Sequence, residues 1–243
     1  MAGMAALRGG AGRVRLAAPD VLLDAVAGFE PSYMTAPLPA DAAGRIASGA
    51  FDRIVELAES ATVIACGPGL GRSLELDQLV LRLYRKIAKP MVFDADALNA
   101  LATEPETLVH PGGPRILTPH PGEFARLIDG KLAPELRAEA AVQLAARCGI
   151  VVVLKGHRTL VTDGGRRALN ATGNPGMATG GSGDVLTGLI TALLCQKMEP
   201  FDAAWLGVHL HGLAGDLAAE DLGQVSLIAS DLIQYLPEAF SEY

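Results

Sequence analysis

A glycine-rich loop that runs directly into a long apolar helix constrains this chain most strongly. The loop covers residues 174–183 and ends in Gly-Gly-Ser-Gly. From Asp184 to Leu194, apolar side chains recur at helical spacing, which predicts a mostly buried helix. Such a junction presents free backbone N–H groups at the positive end of a helix dipole. We therefore predict an anion hole formed by Gly181, Ser182 and Gly183.

Asp184 is the one acid beside this predicted anion site. The helix dipole favours a carboxylate in the first turn, so a helix-starting acid is the simplest interpretation. Because it lies next to a turn suited to anions, the same carboxylate also has a functional interpretation as a general base. It would take a proton from a substrate hydroxyl while the loop stabilises a transferring phosphoryl group. We adopt Asp184 as the catalytic base for the working hypothesis.

Composition and charge bound the class of protein. The chain has 243 residues, of which 50% are hydrophobic and 19% are charged, so we expect one globular domain over residues 1–243. A net charge of −7 without a cluster of Lys and Arg argues against binding nucleic acid. No apolar run reaches the roughly 18 residues that span a bilayer. We expect a cytoplasmic protein whose separated cysteines are buried thiols: Cys66, Cys148 and Cys195.

Strand patterns alternate with helical patterns along the chain, which predicts an α/β fold with a mostly parallel central sheet and helices on both faces. We interpret residues 31–49, which contain three prolines, as mostly loop. Asp20 is expected to cap a short helix that ends at Ala27. The predicted strands cover residues 14–17, 62–66, 91–93, 115–117, 150–154, 159–162 and 166–171.

Polar or glycine-rich segments follow several predicted strands. In an open α/β sheet, ligands bind at the carboxyl ends of the strands, so we expect these segments to form one composite site. The glycine segment GPGLG has an equally good interpretation as a tight strand-to-helix turn. The segments are GPGLG at 67–71, DADALN at 94–99, TPHPGE at 118–123, KGHRT at 155–159 and GGSGD at 180–184.

Each polar residue in these segments has a structural and a functional interpretation. We expect Asp96 to cap its helix, and we leave Asp94 open between a cap and a water-mediated contact to Mg²⁺. Two prolines fix His120 in an extended loop, from which it would hydrogen-bond a substrate. Glu123 caps the next helix or lies near the metal. Lys155 is either an exposed turn residue or a charge on a phosphate.

His209 and His211 are two residues apart on a predicted helix, so their side chains point in different directions. We interpret them as packing or surface residues and not as a metal-binding pair.

Taken together, these motifs resemble the NAD(P)H-hydrate dehydratases of the ribokinase-like superfamily. The resemblance rests on GPGLG, FDADALN, TPHPGE, a strand ending in LKG, and NPGMATGGSGDVLTG. It covers essentially the whole chain, from Ala2 to about Tyr235. It implies a ribokinase-like three-layer α/β/α fold. It also implies a lyase that uses ADP or ATP, with Mg²⁺, to remove water from hydrated NADH or NADPH. Homotetramers are usual in the family.

The resemblance also assigns residues by motif. Gly69, His120 and Asp184 would contact the hydrated dinucleotide. Glu123 matches a position near the metal in related kinases, with Asp94 as a second candidate. The adenine nucleotide would contact Lys155, Gly156, His157, Arg158, Thr159 and Gly183.

Two alternatives remain open. One is a small-molecule kinase of the same superfamily that phosphorylates a vitamin precursor. The other is a non-catalytic nucleotide-binding protein. The second arises because family members usually begin with a further strand and glycine-rich loop that we do not find before the helix at residues 1–7, so we expect a chain that is truncated relative to the family.

Overall fold

Eight β-strands form two sheets in the computed structural model, which describes residues 1–243. Strands β1 (Val14–Pro19) and β2 (Tyr33–Leu38) pair in parallel as a separate two-stranded sheet. The central sheet contains the other six strands in sequence order. They are β3 (Ile64–Cys66), β4 (Met91–Phe93), β5 (Arg115–Leu117), β6 (Val151–Leu154), β7 (Leu160–Thr162) and β8 (Arg167–Leu169).

The central sheet is mostly parallel, as predicted. Strands β3 to β6 are parallel to one another, whereas β7 and β8 continue the sheet as antiparallel neighbours. Ten helices accompany the strands. They are α1 (Ala2–Arg8), α2 (Leu23–Ala27), α3 (Phe51–Glu59), α4 (Leu74–Lys86), α5 (Ala95–Leu101), α6 (Pro121–Leu127), α7 (Pro134–Cys148), α8 (Ser182–Cys195), α9 (Pro200–Leu222) and α10 (Ala229–Glu242).

Two hydrophobic cores, one on each face of the central sheet, make the fold a three-layer α/β/α sandwich. Side chains alternate along β4, so Met91 and Phe93 pack with α4, α5, α6 and α7. Val92 points to the other face and packs with α8, α9 and α10. Strand β6 is buried on both faces, which agrees with its run of β-branched residues. The predicted fold class is thus confirmed.

Parallel strands bring the polar segments to one edge of the sheet. The N–H group of Asp94, after β4, donates to the carbonyl of Cys66 at the end of β3 over 3.1 Å. The N–H group of Lys155, after β6, donates to the carbonyl of Pro119 after β5 over 2.8 Å. The segments that follow β3, β4, β5 and β6 are therefore neighbours.

Two local predictions are wrong. Residues 31–49 contain strand β2, because a strand that pairs on one side only tolerates the prolines that suggested a loop. Asp20 lies inside a short 3₁₀ turn, where its carboxylate accepts a hydrogen bond from the N–H of Val21 over 2.8 Å. It therefore does not cap α2, which begins at Leu23.

Arg115 is a fully buried cation at the amino end of β5, away from the polar segments. Its side chain is 1% exposed and has no carboxylate partner. Instead, its guanidinium donates hydrogen bonds to the carbonyl groups of four residues around the end of α4. Burial lowers its pKa to about 10, so it remains charged at neutral pH. The accepting residues are Tyr84, Ile87, Lys89 and Pro114.

Because these carbonyl groups are buried, we expect Arg115→Met to lower the free energy of unfolding by about 2–4 kcal/mol. Chemical denaturation measures the effect. Arg85→Met is the matched control, since Arg85 forms an exposed pair with Glu104 and should change stability by at most about 1 kcal/mol. Equal changes for both variants would contradict the structural role of Arg115.

None of the helices combines the length and the apolar character that crossing a membrane requires.

Candidate functional site

A buried ion pair lies at the centre of the polar edge. Asp94 follows β4 and is 1% exposed. One of its carboxylate oxygens accepts a hydrogen bond from Lys155 Nζ over 2.6 Å. The other accepts from the hydroxyl of Thr187 on α8 over 2.9 Å. Asp94 occupies the N-cap position of α5 but makes no capping hydrogen bond with its side chain. The pair therefore joins β4, β6 and α8.

Lys155 lies between two buried carboxylates. Besides its contact with Asp94, its Nζ lies 3.9 Å from Oε2 of Glu123, which is 5% exposed. A lysine ammonium has three donors and no acceptor, so it can hold both acids and still present a donor to a ligand. The prediction that Lys155 is a plain exposed turn residue is excluded by this arrangement, because its side chain is only 19% exposed.

His120 and Glu123 cap α6 reciprocally. The Nδ1 atom of His120 accepts hydrogen bonds from the N–H groups of Gly122 and Glu123 over 3.0 and 3.3 Å. The Glu123 carboxylate accepts in return from the N–H of His120 over 2.8 Å. Because Nδ1 is an acceptor, a neutral ring carries its proton on Nε2. The capping interpretation of Glu123 is thus confirmed, while contacts of His120 with substrate and of Glu123 with metal stay predictions.

The helix that carries the anion turn begins two residues earlier than the sequence suggested. Helix α8 starts at Ser182, and Gly181 before it has a φ of 90°. Of the predicted anion hole, the N–H groups of Gly181 and Gly183 donate to no acceptor within the chain, as does that of Asp184. The inclusion of Ser182 is wrong, because its N–H donates to the carbonyl of Thr179 over 3.3 Å. Gly183 is needed for close approach, since a Cβ there would lie 3.2 Å from Lys155 Nζ and 3.5 Å from a carboxylate oxygen of Asp94. The turn and the ion pair therefore form one site.

Asp184, in the first turn of α8, is half-buried and has a raised pKa. Burial is the main cause, and the negative charge of Asp94 adds to it. Lys155 and the α-amino group of Met1 oppose the shift. A carboxylate in such surroundings binds a proton more readily than an exposed one, which suits a general base.

Asp96 does not cap α5, contrary to the prediction. Its carboxylate accepts a hydrogen bond over 2.9 Å from the N–H of Gly71, in the glycine segment that follows β3. The turn at residues 67–71 is therefore held against the neighbouring strand end. Gly69, within it, is exposed and has a φ of 66°.

The turn between β6 and β7 projects from the site. Thr159 closes it by donating from its hydroxyl to the carbonyl of Gly156 over 3.0 Å. His157 and Arg158 are exposed at its tip, and they make no ion pair or side-chain hydrogen bond within the chain. Their predicted contact with a nucleotide stays a prediction, as does that of Gly156 and Thr159.

Sequence reasoning missed two residues of the site. Thr187 was not predicted, yet its hydroxyl donates to the buried carboxylate of Asp94. His211, interpreted as a packing or surface residue, lies with its Nε2 atom 3.0 Å from the carbonyl oxygen of Ser182. A polar residue on an otherwise apolar helix face was the one available signal for both.

No group of three or more His, Cys, Asp or Glu side chains in residues 1–243 is arranged to hold a metal ion. Asp94 and Glu123 are instead separated by the ammonium of Lys155. Mg²⁺ is commonly held by one or two carboxylates together with water and substrate phosphates. These two acids fit a water-mediated contact of that kind, and their role as metal contacts stays a prediction.

The whole chain matches one family of proteins. A family model described as NAD(P)H-hydrate dehydratase matches residues 1–238. A bifunctional NAD(P)H-hydrate repair enzyme of Moorella thermoacetica is 45% identical over 240 residues, which are 98% of this chain and 45% of that enzyme. The corresponding enzyme of Thermofilum pendens is 43% identical over 96% of this chain and 45% of its own length. The chain thus spans about half the length of these relatives.

Solved structures show the same relationship. The ADP/ATP-dependent NAD(P)H-hydrate dehydratase of Bacillus subtilis, co-crystallised with ATP and Mg²⁺, superposes with a TM-score of 0.83 at 31% identity, covering 99% of this chain and 83% of that one. Hydroxyethylthiazole kinase of Pyrococcus horikoshii has a TM-score of 0.68 at 17% identity and covers 96% of that chain, a likeness of fold alone.

The buried ion pair leads to a prediction on stability. Lys155→Met leaves the Asp94 carboxylate buried without a cation, so we expect the free energy of unfolding to fall by about 3–5 kcal/mol. Arg53→Met is the control, because Arg53 and Glu56 form an exposed pair that contributes at most about 1 kcal/mol. In the double variant Lys155→Met/Asp94→Asn, part of the loss should return. Strictly additive losses in denaturation experiments would rule out the pairing.

Proposed function

We propose, because the chain belongs to the NAD(P)H-hydrate dehydratase family, that it uses ADP or ATP to remove water from hydrated NADH or NADPH. One observation carries the proposal. Asp184, a half-buried carboxylate with a raised pKa, lies on the same helical turn as the unbonded N–H groups, beside the ammonium of Lys155. This arrangement supplies a base, an anion hole and a counter-charge at one place.

The motifs support an arrangement of the two substrates. We assign the hydrated dinucleotide to Gly69, His120 and Asp184. The N–H groups at the start of α8 would bind the phosphoryl group as it passes from the nucleotide to the hydrated dinucleotide. Arg158 and His157 are exposed and unpaired, which suits contacts with nucleotide phosphates or the adenosine group. The full nucleotide set is Lys155, Gly156, His157, Arg158, Thr159 and Gly183.

Chemistry then begins with proton transfer. Asp184 accepts the proton of the hydroxyl group on the hydrated nicotinamide ring, and the hydroxyl oxygen attacks the terminal phosphorus of the nucleotide. A new O–P bond forms as the bond to the leaving nucleotide breaks, which gives AMP from ADP or ADP from ATP. The N–H groups of Gly183 and Asp184 stabilise the charge on the transferring oxygens. The phosphorylated ring now carries a good leaving group.

Elimination completes the reaction. The ring C–O bond breaks, phosphate departs with the electron pair, and loss of a proton from the adjacent ring carbon forms the double bond of NADH or NADPH. The nucleotide therefore supplies the driving force. The elements of water leave the ring as two protons and one oxygen atom, and that oxygen is carried away in the phosphate. The protein need only hold the phosphoryl group and the proton acceptor in the correct positions relative to the ring.

Mg²⁺ would be held through water by Glu123 and Asp94, and when bound it neutralises charge on the nucleotide phosphates. Lys155 holds both carboxylates in place for this task. The homotetramer and the cytoplasmic location implied by the family resemblance also belong to this proposal. The second activity of the bifunctional relatives does not, since the chain spans about half their length.

A small-molecule kinase is the main alternative, and it shares the first chemical step. Both enzymes phosphorylate a hydroxyl group, and they differ in whether the phosphate is then eliminated. The likeness to hydroxyethylthiazole kinase supports only the fold. A non-catalytic protein would bind the nucleotide without either reaction.

The direct experiment incubates the full chain with hydrated NADH, Mg²⁺ and either ADP or ATP. The near-ultraviolet absorbance of NADH should return, and one phosphate should be released for each NADH formed. A stable phosphorylated alcohol from a vitamin precursor, with no return of NADH absorbance, would identify a kinase. Nucleotide binding by calorimetry without turnover of either substrate would identify a non-catalytic protein.

Asp184→Asn should lower kcat by about 10²–10⁴-fold, because the amide cannot accept the proton. The thermal stability, in contrast to kcat, should not fall. A carboxyl group whose folded pKa is raised destabilises the fold when it is ionised, so at neutral pH the amide should leave Tm unchanged or slightly higher. Asp202→Asn, at an exposed acid on α9, is the control for both measurements. Near-normal turnover by Asp184→Asn would refute the base role.

The pH dependence of kcat/KM should reflect the same carboxyl group. Activity requires the ionised base, so it should be lost as pH falls through a pKa that lies above the ordinary 3.8 of an aspartate. Lys155 lowers this pKa, so in Lys155→Met the acid limb should move to higher pH. An acid limb in the same place for both proteins would contradict the effect of the Lys155 charge on Asp184.

A further inference from the structure

We infer that helix α9 positions the catalytic turn, with His211 and Asp216 as positioning residues that hold the two ends of the glycine-rich loop. The inference rests on the proposed function, because it concerns the placement of Asp184. Neither residue reaches the unbonded N–H groups of the turn; both act through the loop backbone. Four observations on α9 and the loop support it.

Asp216 holds the entry of the loop. One of its carboxylate oxygens accepts a hydrogen bond from the N–H of Gly173 over 2.7 Å. The other accepts from the side-chain amide of Asn174 over 3.0 Å. That amide also donates to the carbonyl of Gly215 over 2.8 Å, so two consecutive loop residues are bonded to the same turn of α9. Hydrogen bonds to a charged acceptor are among the stronger ones in proteins.

Two glycines let the loop lie directly on α9. A Cβ at Gly212 would lie 2.2 Å from the hydroxyl oxygen of Thr172, which donates to the carbonyl of His209 over 2.8 Å. A Cβ at Gly215 would lie 2.3 Å from the sulfur of Met177. A larger residue at Gly212 would push the loop backbone away from the helix, and one at Gly215 would displace the Met177 side chain.

His211 holds the exit of the loop. Its Nε2 atom lies 3.0 Å from the carbonyl oxygen of Ser182 and 3.3 Å from the Ser182 hydroxyl. Burial lowers the pKa of His211 to about 4, so the ring is neutral at physiological pH. Nε2 then carries the proton that bonds the carbonyl. Ser182 precedes Asp184 by two residues, within the same helical turn.

The four positions share one side of α9. At about 100° per residue, positions 215, 212 and 216 lie at about 40°, 100° and 140° from position 211, so the four fall within one half of the helix circumference. The His209 ring instead lies against the rings of Trp205 and Tyr243, with centroids 6.2 and 5.8 Å away. The loop is thus fixed from behind by one rigid element. A shift of about 1 Å in the turn is enough to change a rate by about a hundredfold.

His211→Leu tests the exit contact in the full chain. We expect kcat to fall by about 10- to 100-fold while KM for the nucleotide changes less, because the variant misplaces the base and the anion hole. His211→Gln supplies an amide N–H near the position of Nε2 and should recover most of the lost kcat. His209→Leu, which removes the other histidine of this helix, should match the wild type.

Asp216→Asn tests the entry contact independently, and it also serves if His211→Leu fails to fold. It keeps the size of the side chain but replaces one acceptor with a donor, so kcat should fall in the same way. Wild-type kcat in His211→Leu and Asp216→Asn, or equal losses in His211→Leu and His211→Gln, would overturn the inference.

Amide hydrogen exchange at residues 180–184 gives a readout that does not depend on turnover. Exchange should be faster in His211→Leu and Asp216→Asn than in the wild type and in His209→Leu. If the wild type itself shows no turnover, the proposed function fails, and exchange alone decides the inference. Unchanged exchange in both variants would overturn it whatever the activity.

Discussion

The buried pair of Asp94 and Lys155 is the interaction on which the site depends. It joins the ends of two strands to the first turns of α8, and Thr187 completes the set of hydrogen bonds. Charges at this depth are tolerated only when they are paired and hydrogen-bonded. The pair therefore fixes the separation between the anion turn and the turn after β6, which are the two parts proposed to hold one nucleotide.

Local patterns were enough to predict much of this protein. Strand ends, the buried helix and the capping of α6 depend on residues close in sequence, and each has a characteristic spacing. Thr187 and Asp94 are 93 positions apart, and His211 and Ser182 are 29 apart. Contacts of that kind form only when helices pack on a sheet, so the periodicity of the sequence does not predict them. The glycine motif supplied the position of the site but not the residues that support it.

The wrong predictions have the same origin. Asp96 was expected to cap its own helix, yet the N–H of Gly71, brought close by the neighbouring strand, is the better-placed donor. Strand β2 was missed because prolines indicate loops, while an edge position removes their cost. In both places the local sequence allowed two conformations, and a contact with a residue distant in sequence determined which one forms. His120 differs, because its capping bond uses Nδ1 and leaves the proton of a neutral ring on Nε2. The cap is therefore compatible with the proposed contact between His120 and the substrate.

The support that α9 gives the loop is independent of the protein surface beside the loop. Support comes from the interior of the protein, through backbone bonds and glycine contacts, whereas the neighbouring rim is open: Val225 is fully exposed beside the residues that contact Gly176. Substitutions at exposed residues such as Val225 therefore leave the backbone bonds between α9 and the loop intact. The surface beside the loop can vary among related proteins while the positions of Asp184 and the glycine turn stay fixed by the helix beneath them.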